Sequence, residues 1–341
     1  MKQLKILALI ASLFAFTSAQ AGEVSVTGSM QATYQSNADS TTGNPLGMNT
    51  DLKFSGSTDT DFGAVTWSMA TDGTFLGGAA GEGADHSMKL ATTFGTIGIG
   101  NAGDAANAVD DITPSAFEEA NGAGSGSYAV DMGSGMDGSM SLSYGNGDVF
   151  GTGISIAYNY YPKLDATTNN EKGASSDANA NTASAQSYNM SIPLAGLPLG
   201  IVDGAKVTLG YHNSDNRGTD FQNHQGATAA INLPVGPVSL GFQKKAYSAA
   251  ATTIDDGVFY KDDILGIAYA VNDDLAISYN IIESTKHDLA TAEVEQETKA
   301  VNVAYTIGGL TLGLQDAKTD NSGWVSTVTD DTRTISIKTA F

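Results

Sequence analysis

From about residue 23 to its end, the chain repeats short blocks in which every second residue is apolar. In 153–161, Ile154, Ile156, Tyr158 and Tyr160 alternate with Ser155, Ala157 and Asn159. Val301, Val303, Tyr305 and Ile307 alternate with Asn302, Ala304 and Thr306. A period of two is the signature of a pleated strand with unlike faces. Frequent glycine, together with β-branched and aromatic residues in the blocks, works against helix. The pattern predicts sixteen strands, at 23–37, 50–58, 63–72, 86–94, 96–101, 139–146, 153–161, 186–194, 205–213, 225–233, 238–247, 261–271, 274–284, 298–308, 310–319 and 332–341. Ser127–Met132 also alternates but is assigned to a loop, because an odd count would break the meander.

The links fall into two alternating classes. Phe94-Gly95, Pro234–Pro237, Asn272-Asp273 and Gly309 are tight, whereas 162–185, 214–224, 248–260, 285–297 and 320–331 are long and polar. Every second link being tight predicts an up-and-down antiparallel meander with its long loops at one end. Residues 1–21 carry Lys2 and Lys5, an apolar run from Ile6 to Phe16, and Ala19-Gln20-Ala21. That order reads as a cleavable secretory signal peptide, too short to span a bilayer as a helix. The mature segment 22–341 has no apolar run long enough for a membrane helix.

Composition decides which solvent each face meets. Charged residues are 16% of the 341, against roughly 25% in soluble domains. The face opposite the apolar one is mostly Gly, Ala, Ser, Thr and Asn, where a soluble sheet would carry many charges. Tyr34, Trp67, Phe94, Tyr160, Tyr247, Tyr260 and Phe341 sit near block ends, as in the aromatic girdles of membrane barrels. Blocks of this length suit a tilted strand crossing hydrocarbon. The expected fold is therefore all-β: a 16-stranded antiparallel transmembrane barrel in an outer membrane. Apolar residues face outer-membrane lipids and polar ones a wet lumen. The net charge of −21 becomes −23 once Lys2 and Lys5 are removed, and so acidic a chain excludes nucleic-acid binding. No cysteine is present, which excludes disulfides and thiolate chemistry.

The segment Gly22–Tyr34 (GEVSVTGSMQATY), the Phe94–Asn101 hairpin (FGTIGIGN) before a long acidic loop, Tyr144 followed by Asp148-Val149-Phe150-Gly151, and the terminal Phe341 resemble the general porins of Gram-negative outer membranes. The resemblance implies short periplasmic turns, long extracellular loops, a homotrimer, and passive diffusion of small hydrophilic solutes and ions. It implies no cofactor and no enzymatic activity. It makes Phe341 part of the signal read by the barrel-insertion machinery. It also places 102–138 inside the lumen as a pore-constricting loop. That loop carries Asp104, Asp110, Asp111, Glu118 and Glu119. Strand parity points Lys53 and Lys89 inward, where they form the facing basic wall. Carboxylates at a constriction favour cations, so moderate cation selectivity is expected. Two other readings stay open: a substrate-selective uptake channel of the same fold, and a structural or adhesive barrel.

The remaining motifs have simpler explanations. Gly98-x-Gly100-x-x-Gly103, with Glu118 beyond it, spells the dinucleotide fingerprint but lacks the βαβ surroundings that give it function. Asp59-x-Asp61-x-Gly63 lacks the distal Glu of a calcium loop and reads as a tight turn. Asp255-Asp256, Asp262-Asp263 and Asp330-Asp331 are placed in or beside outer loops, where loosely bound Ca2+ would bridge them to lipid phosphates; solvated loop charge is the plainer reading. His86, His212, His224 and His287 have no metal-binding spacing.

Overall fold

The computed structural model describes residues 24–37, 44–71, 85–101, 103–118, 120, 136, 139–164, 184–195, 203–214, 223–249, 257–288 and 292–341. The signal segment, Glu119, Asp255 and Asp256 lie outside them. Sixteen strands are present: β1 (Val24–Asn37), β2 (Leu46–Thr60), β3 (Gly63–Thr71), β4 (Asp85–Thr92), β5 (Gly95–Gly100), β6 (Ser141–Asn146), β7 (Ser155–Tyr161), β8 (Ala185–Pro193), β9 (Lys206–Ser214), β10 (Gln225–Val235), β11 (Val238–Ser248), β12 (Val258–Ala270), β13 (Leu275–Asp288), β14 (Val294–Ile307), β15 (Leu310–Asp320) and β16 (Thr329–Ala340). Each pairs antiparallel with its sequence neighbours, and β1 pairs with β16, closing a barrel. Closure leaves no strand edge with unpaired amides, the condition for a sheet to sit in hydrocarbon.

The two faces separate as the alternation predicts. Leu240, Phe242, Ile277, Tyr279, Leu312, Leu314, Ile335 and Ile337 are exposed large apolar residues on the outside. The alternate positions, such as Gln243, Asn280, Gln296, Asn302 and Gln315, are buried inside, and three of them bond one another across strands. Asn302 Nδ2 donates to Asn280 Oδ1 at 3.2 Å, and Gln315 Nε2 donates to Asn302 Oδ1 at 2.9 Å. Such paired amides answer each other's desolvation cost on the inner wall.

Three expectations are corrected. First, the ends of the predicted loops 248–260, 285–297 and 320–331 are strand, because β11 to β16 run on into them. Above the apolar band the outward positions become charged while the period of two persists. Lys244 pairs with Asp263, Lys299 with Glu297, Lys318 with Asp320, and Arg333 with Asp316. A search for apolar alternation stops where that change begins. For the same reason Asp262-Asp263 and Asp330-Asp331 lie within β12 and β16, with Asp262 and Asp330 buried on the lumen side. Second, β2 begins at Leu46, four residues earlier than its apolar pattern suggested. Third, Tyr247 and Tyr260 do not belong to an outer girdle. They share the parity of buried Lys245 and Asp262 and point inward.

Candidate pore constriction

The described residues 103–118 and 120 of the long link between β5 and β6 fold back inside the barrel. Asn101 and Asp104 begin it. The Asp104 carboxylate accepts from the backbone N–H of Ala106 at 2.6 Å and of Asn107 at 3.0 Å, which bends the chain into a short 3-10 turn at Asn107–Val109. The same carboxylate is tied to the wall by Ser187 Oγ at 2.8 Å and Tyr161 Oη at 3.1 Å. From there residues 103–118 run along the inner faces of β8 to β15. Asn189 Nδ2 donates to the Ala105 carbonyl, Gln243 Nε2 to those of Val109 and Asp110, Asn232 Nδ2 to that of Ile112, and Asn280 Nδ2 to that of Pro114. Ser278 Oγ accepts from the Ala116 N–H at 2.9 Å. The loop backbone, which strands or helices would otherwise satisfy, finds its partners in inward-facing amides and hydroxyls.

A stripe of lumen-facing glycines makes room for it. A Cβ at Gly241 would lie 2.1 Å from Pro114 Cδ, one at Gly210 2.7 Å from Val109 Cγ2, and one at Gly313 2.5 Å from the Phe117 ring. The far end is sealed by Ala120, buried against Ile264, Ile282, Ala300 and Ala317 of β12 to β15. An ion pair fastens the middle. Lys245 Nζ lies 2.9 Å from Asp110 Oδ1 and 3.2 Å from Asp111 Oδ1, with the Lys245 side chain only 1% exposed.

The profile of the Gram-negative porin family matches residues 7–340. The chain belongs to the Gram-negative porins. It is thus a multi-pass outer-membrane β-barrel channel for small solutes. No curated protein sequence matches it. Solved porins share its fold at low identity. An anion-selective porin from Comamonas acidovorans superposes with a TM-score of 0.65 at 12% identity, covering 94% of this chain and 100% of its own. OmpT of Vibrio cholerae gives 0.63 at 11%, covering 95% and 99%. Salmonella typhi OmpF, solved with daunomycin, gives 0.62 at 16%, covering 94% and 98%.

In this porin the sequence-derived site residues divide by environment. Asp104 and Asp110 are buried against the wall, each engaged by the partners named above. Asp111 keeps a side-chain exposure of 55%, and Glu118 is half-buried. Lys53 on β2 and Lys89 on β4 lie on the inner wall near the start of the chain. They share a recess of about 300 Å³ with Ser25, Ser55, Ser57, Thr66, Ser68 and Ser87. Among the described residues neither lysine makes an ion pair. Phe341 closes the barrel: its N–H donates to the Gly28 carbonyl at 3.0 Å, and Gly28 N–H donates to its carbonyl at 2.9 Å. Its ring lies over Gly28, where a Cβ would come within 2.7 Å of Cζ.

Lys245 and Gln243, which hold the loop, were not among the sequence candidates. Their signal was present: in β11 they alternate with Leu240, Phe242 and Lys244, which places them inward together. The glycine fingerprint resolves as expected of a glycine-rich strand end, with Gly98 and Gly100 in β5 and Gly103 at φ +80° in the loop. Asp59–Gly63 is a tight turn in which Thr60 Oγ1 donates to the Gly63 carbonyl. Among the described residues no group of three or more His, Asp or Glu is arranged to hold a metal ion.

Proposed function

We propose that the protein is a general diffusion porin that favours cations, working as a homotrimer, with residues 103–118 narrowing the lumen. One observation carries the selectivity. Carboxylates on the lumen side (Asp51, Asp85, Asp104, Asp110, Asp111, Glu118, Asp262, Asp288 and Asp330) outnumber lysines (Lys53, Lys89, Lys206, Lys245, Lys286 and Lys338). Lys245 is already committed to Asp110, so it offsets charge without presenting any to a passing ion. Lys53 and Lys89, on the inner faces of β2 and β4, offset part of the rest. Among the described residues, Asp111 and Glu118 are the loop carboxylates that keep exposed surface, and they supply its part of the field. Fixed charges in a wet lumen act over a Debye length of about 10 Å at 0.1 M salt, comparable to a narrow pore. A solved form of Vibrio cholerae OmpT is described as a trimer, and the shared fold supports the same assembly here.

Reversal potential across a planar bilayer in a salt gradient tests this. Several-fold cation preference at low salt, mostly lost near 1 M, is the expected result. Anion preference in the parent channel would overturn the charge argument.

A further inference from the structure

The lumen-facing positions of the described strands are small, polar or aliphatic, with two exceptions. One is Tyr161, at the root of the inner loop. The other is a row of rings across β9 to β12. His212, Gly226, Tyr247 and Tyr260 are consecutive cross-strand partners. Gly226 has no side chain, so the rings of His212 and Tyr247 approach across it to 6.0 Å between centroids. Tyr247 and Tyr260 follow at 6.1 Å, and Trp324 completes the row at 4.9 Å from Tyr260.

Trp324 comes from the link between β15 and β16, which leans inward over β14 and β13 to reach β12. That link is held in an unusual shape. Asn321, Trp324 and Thr327 have φ of 55°, 56° and 73°, and Gly323 has 67°. Left-handed backbone at a Trp and a β-branched Thr persists only where surrounding contacts enforce it. Here Asn321 Nδ2 donates to the Glu295 carbonyl at 2.9 Å, Gly323 N–H to Gln296 Oε1 at 2.7 Å, and Trp324 Nε1 to the Ser284 carbonyl at 3.1 Å. His212 and Tyr247 are buried and fix the far end of the row, while Tyr260 and Trp324 keep exposed surface. Tyr260 stands four residues toward the loop end from Ile264, the contact of the inner loop. A solute entering from the long-loop end therefore meets these rings before the narrow part. Lys286, directly across from Tyr260, and its partner Asp288 at 4.0 Å form a polar rim without net charge.

We propose that Tyr260 and Trp324 form a stacking subsite for neutral carbohydrate in the outer vestibule, with Lys286 and Asp288 bonding the sugar hydroxyls. A pyranose has an apolar C–H face and a hydroxyl edge, which matches two aromatic walls tilted 55° to each other beside a polar rim. The subsite rests on the channel reading above. The test records single-channel current through the full-length protein with maltotriose on the long-loop side and a poly(ethylene glycol) of similar mass as size control. Maltotriose is expected to cause reversible blocks that the polymer does not. Trp324→Leu should weaken blocking about tenfold, the scale of one lost aromatic contact. Tyr260→Phe should retain blocking and Tyr260→Leu should lose it, so the assignment stays testable if the Trp324 variant does not assemble. A conducting channel with no maltotriose block, equal block by the polymer, stronger block by a planar aromatic such as benzamide, or a Tyr260→Leu channel that blocks like the parent would overturn the subsite. Absence of conductance would overturn the channel reading instead.

Discussion

Replacing Lys245 with Met removes the one cation at the middle of the inner loop while keeping a side chain of similar length. Asp110, 7% exposed, then stays in its buried position with its ion pair to Lys245 broken. Breaking a buried pair from one side costs about 3–5 kcal/mol. The lower end applies here, because Gln243 Nε2 still donates to the Val109 carbonyl at 3.0 Å and to that of Asp110 at 2.5 Å. The second contact, to Asp111, adds little, since that carboxylate is 55% exposed and screened. A loss of about 3 kcal/mol is roughly a hundredfold rise in local opening. It should appear in hydrogen exchange at the amides of Asp110, bonded to the Asn107 carbonyl at 3.0 Å, and Ile112, bonded to Gln243 Oε1 at 3.4 Å. Barrel strands should exchange as before, because β11 keeps its ladders to β10 and β12. The double variant Asp110→Asn with Lys245→Met removes both charges of the pair and should return exchange to within about tenfold of the parent. Open-channel noise should rise in the single variant and fall back in the double. Unchanged exchange in Lys245→Met would refute the reasoning. A double variant no better than the single would show that packing of the lysine stem, not its charge, holds the loop.

Two further outcomes follow from close contacts. Gly313→Val puts a branched side chain where a Cβ alone would lie 2.5 Å from the Phe117 ring; the loop should move off β15 into the lumen and lower single-channel conductance with barrel melting unchanged, whereas Gly145→Ala, whose Cβ meets nothing nearer than 3.8 Å, should conduct like the parent. Phe341→Asp should cut the heat-resistant barrel recovered from outer membranes far more than Asp273→Asn in an exposed turn, and equal recovery of the two would count against a role for the ring in assembly.

Strand number, strand order and the direction of each face were legible in the chain because they depend on local alternation. Period two needs only the residue and its neighbours, and a closed sheet in lipid turns that pattern apolar side out. The inward parity of Lys53 and Lys89 follows from Leu52, Phe54, Met88 and Leu90 beside them in the same way. Strand ends were less legible, because the outward face of β11 to β16 changes from apolar to paired charge without changing period. The girdle assignment of Tyr247 and Tyr260 treated position near a block end as if it were direction. In β11, parity with Leu240 and Phe242 already turns Tyr247 inward.

What only tertiary structure decided is the company that distant residues keep inside the barrel. Nothing local to Asp110 announces Lys245, 135 residues away, or the glycines on four strands that let the loop lie flat. The same holds for Trp324 reaching Tyr260 through a backbone that its own preferences oppose. These contacts depend on closing β1 onto β16, which fixes the inward faces of all the strands at once around a single lumen. Sequence alternation sets which way each side chain points; closure sets what it meets there.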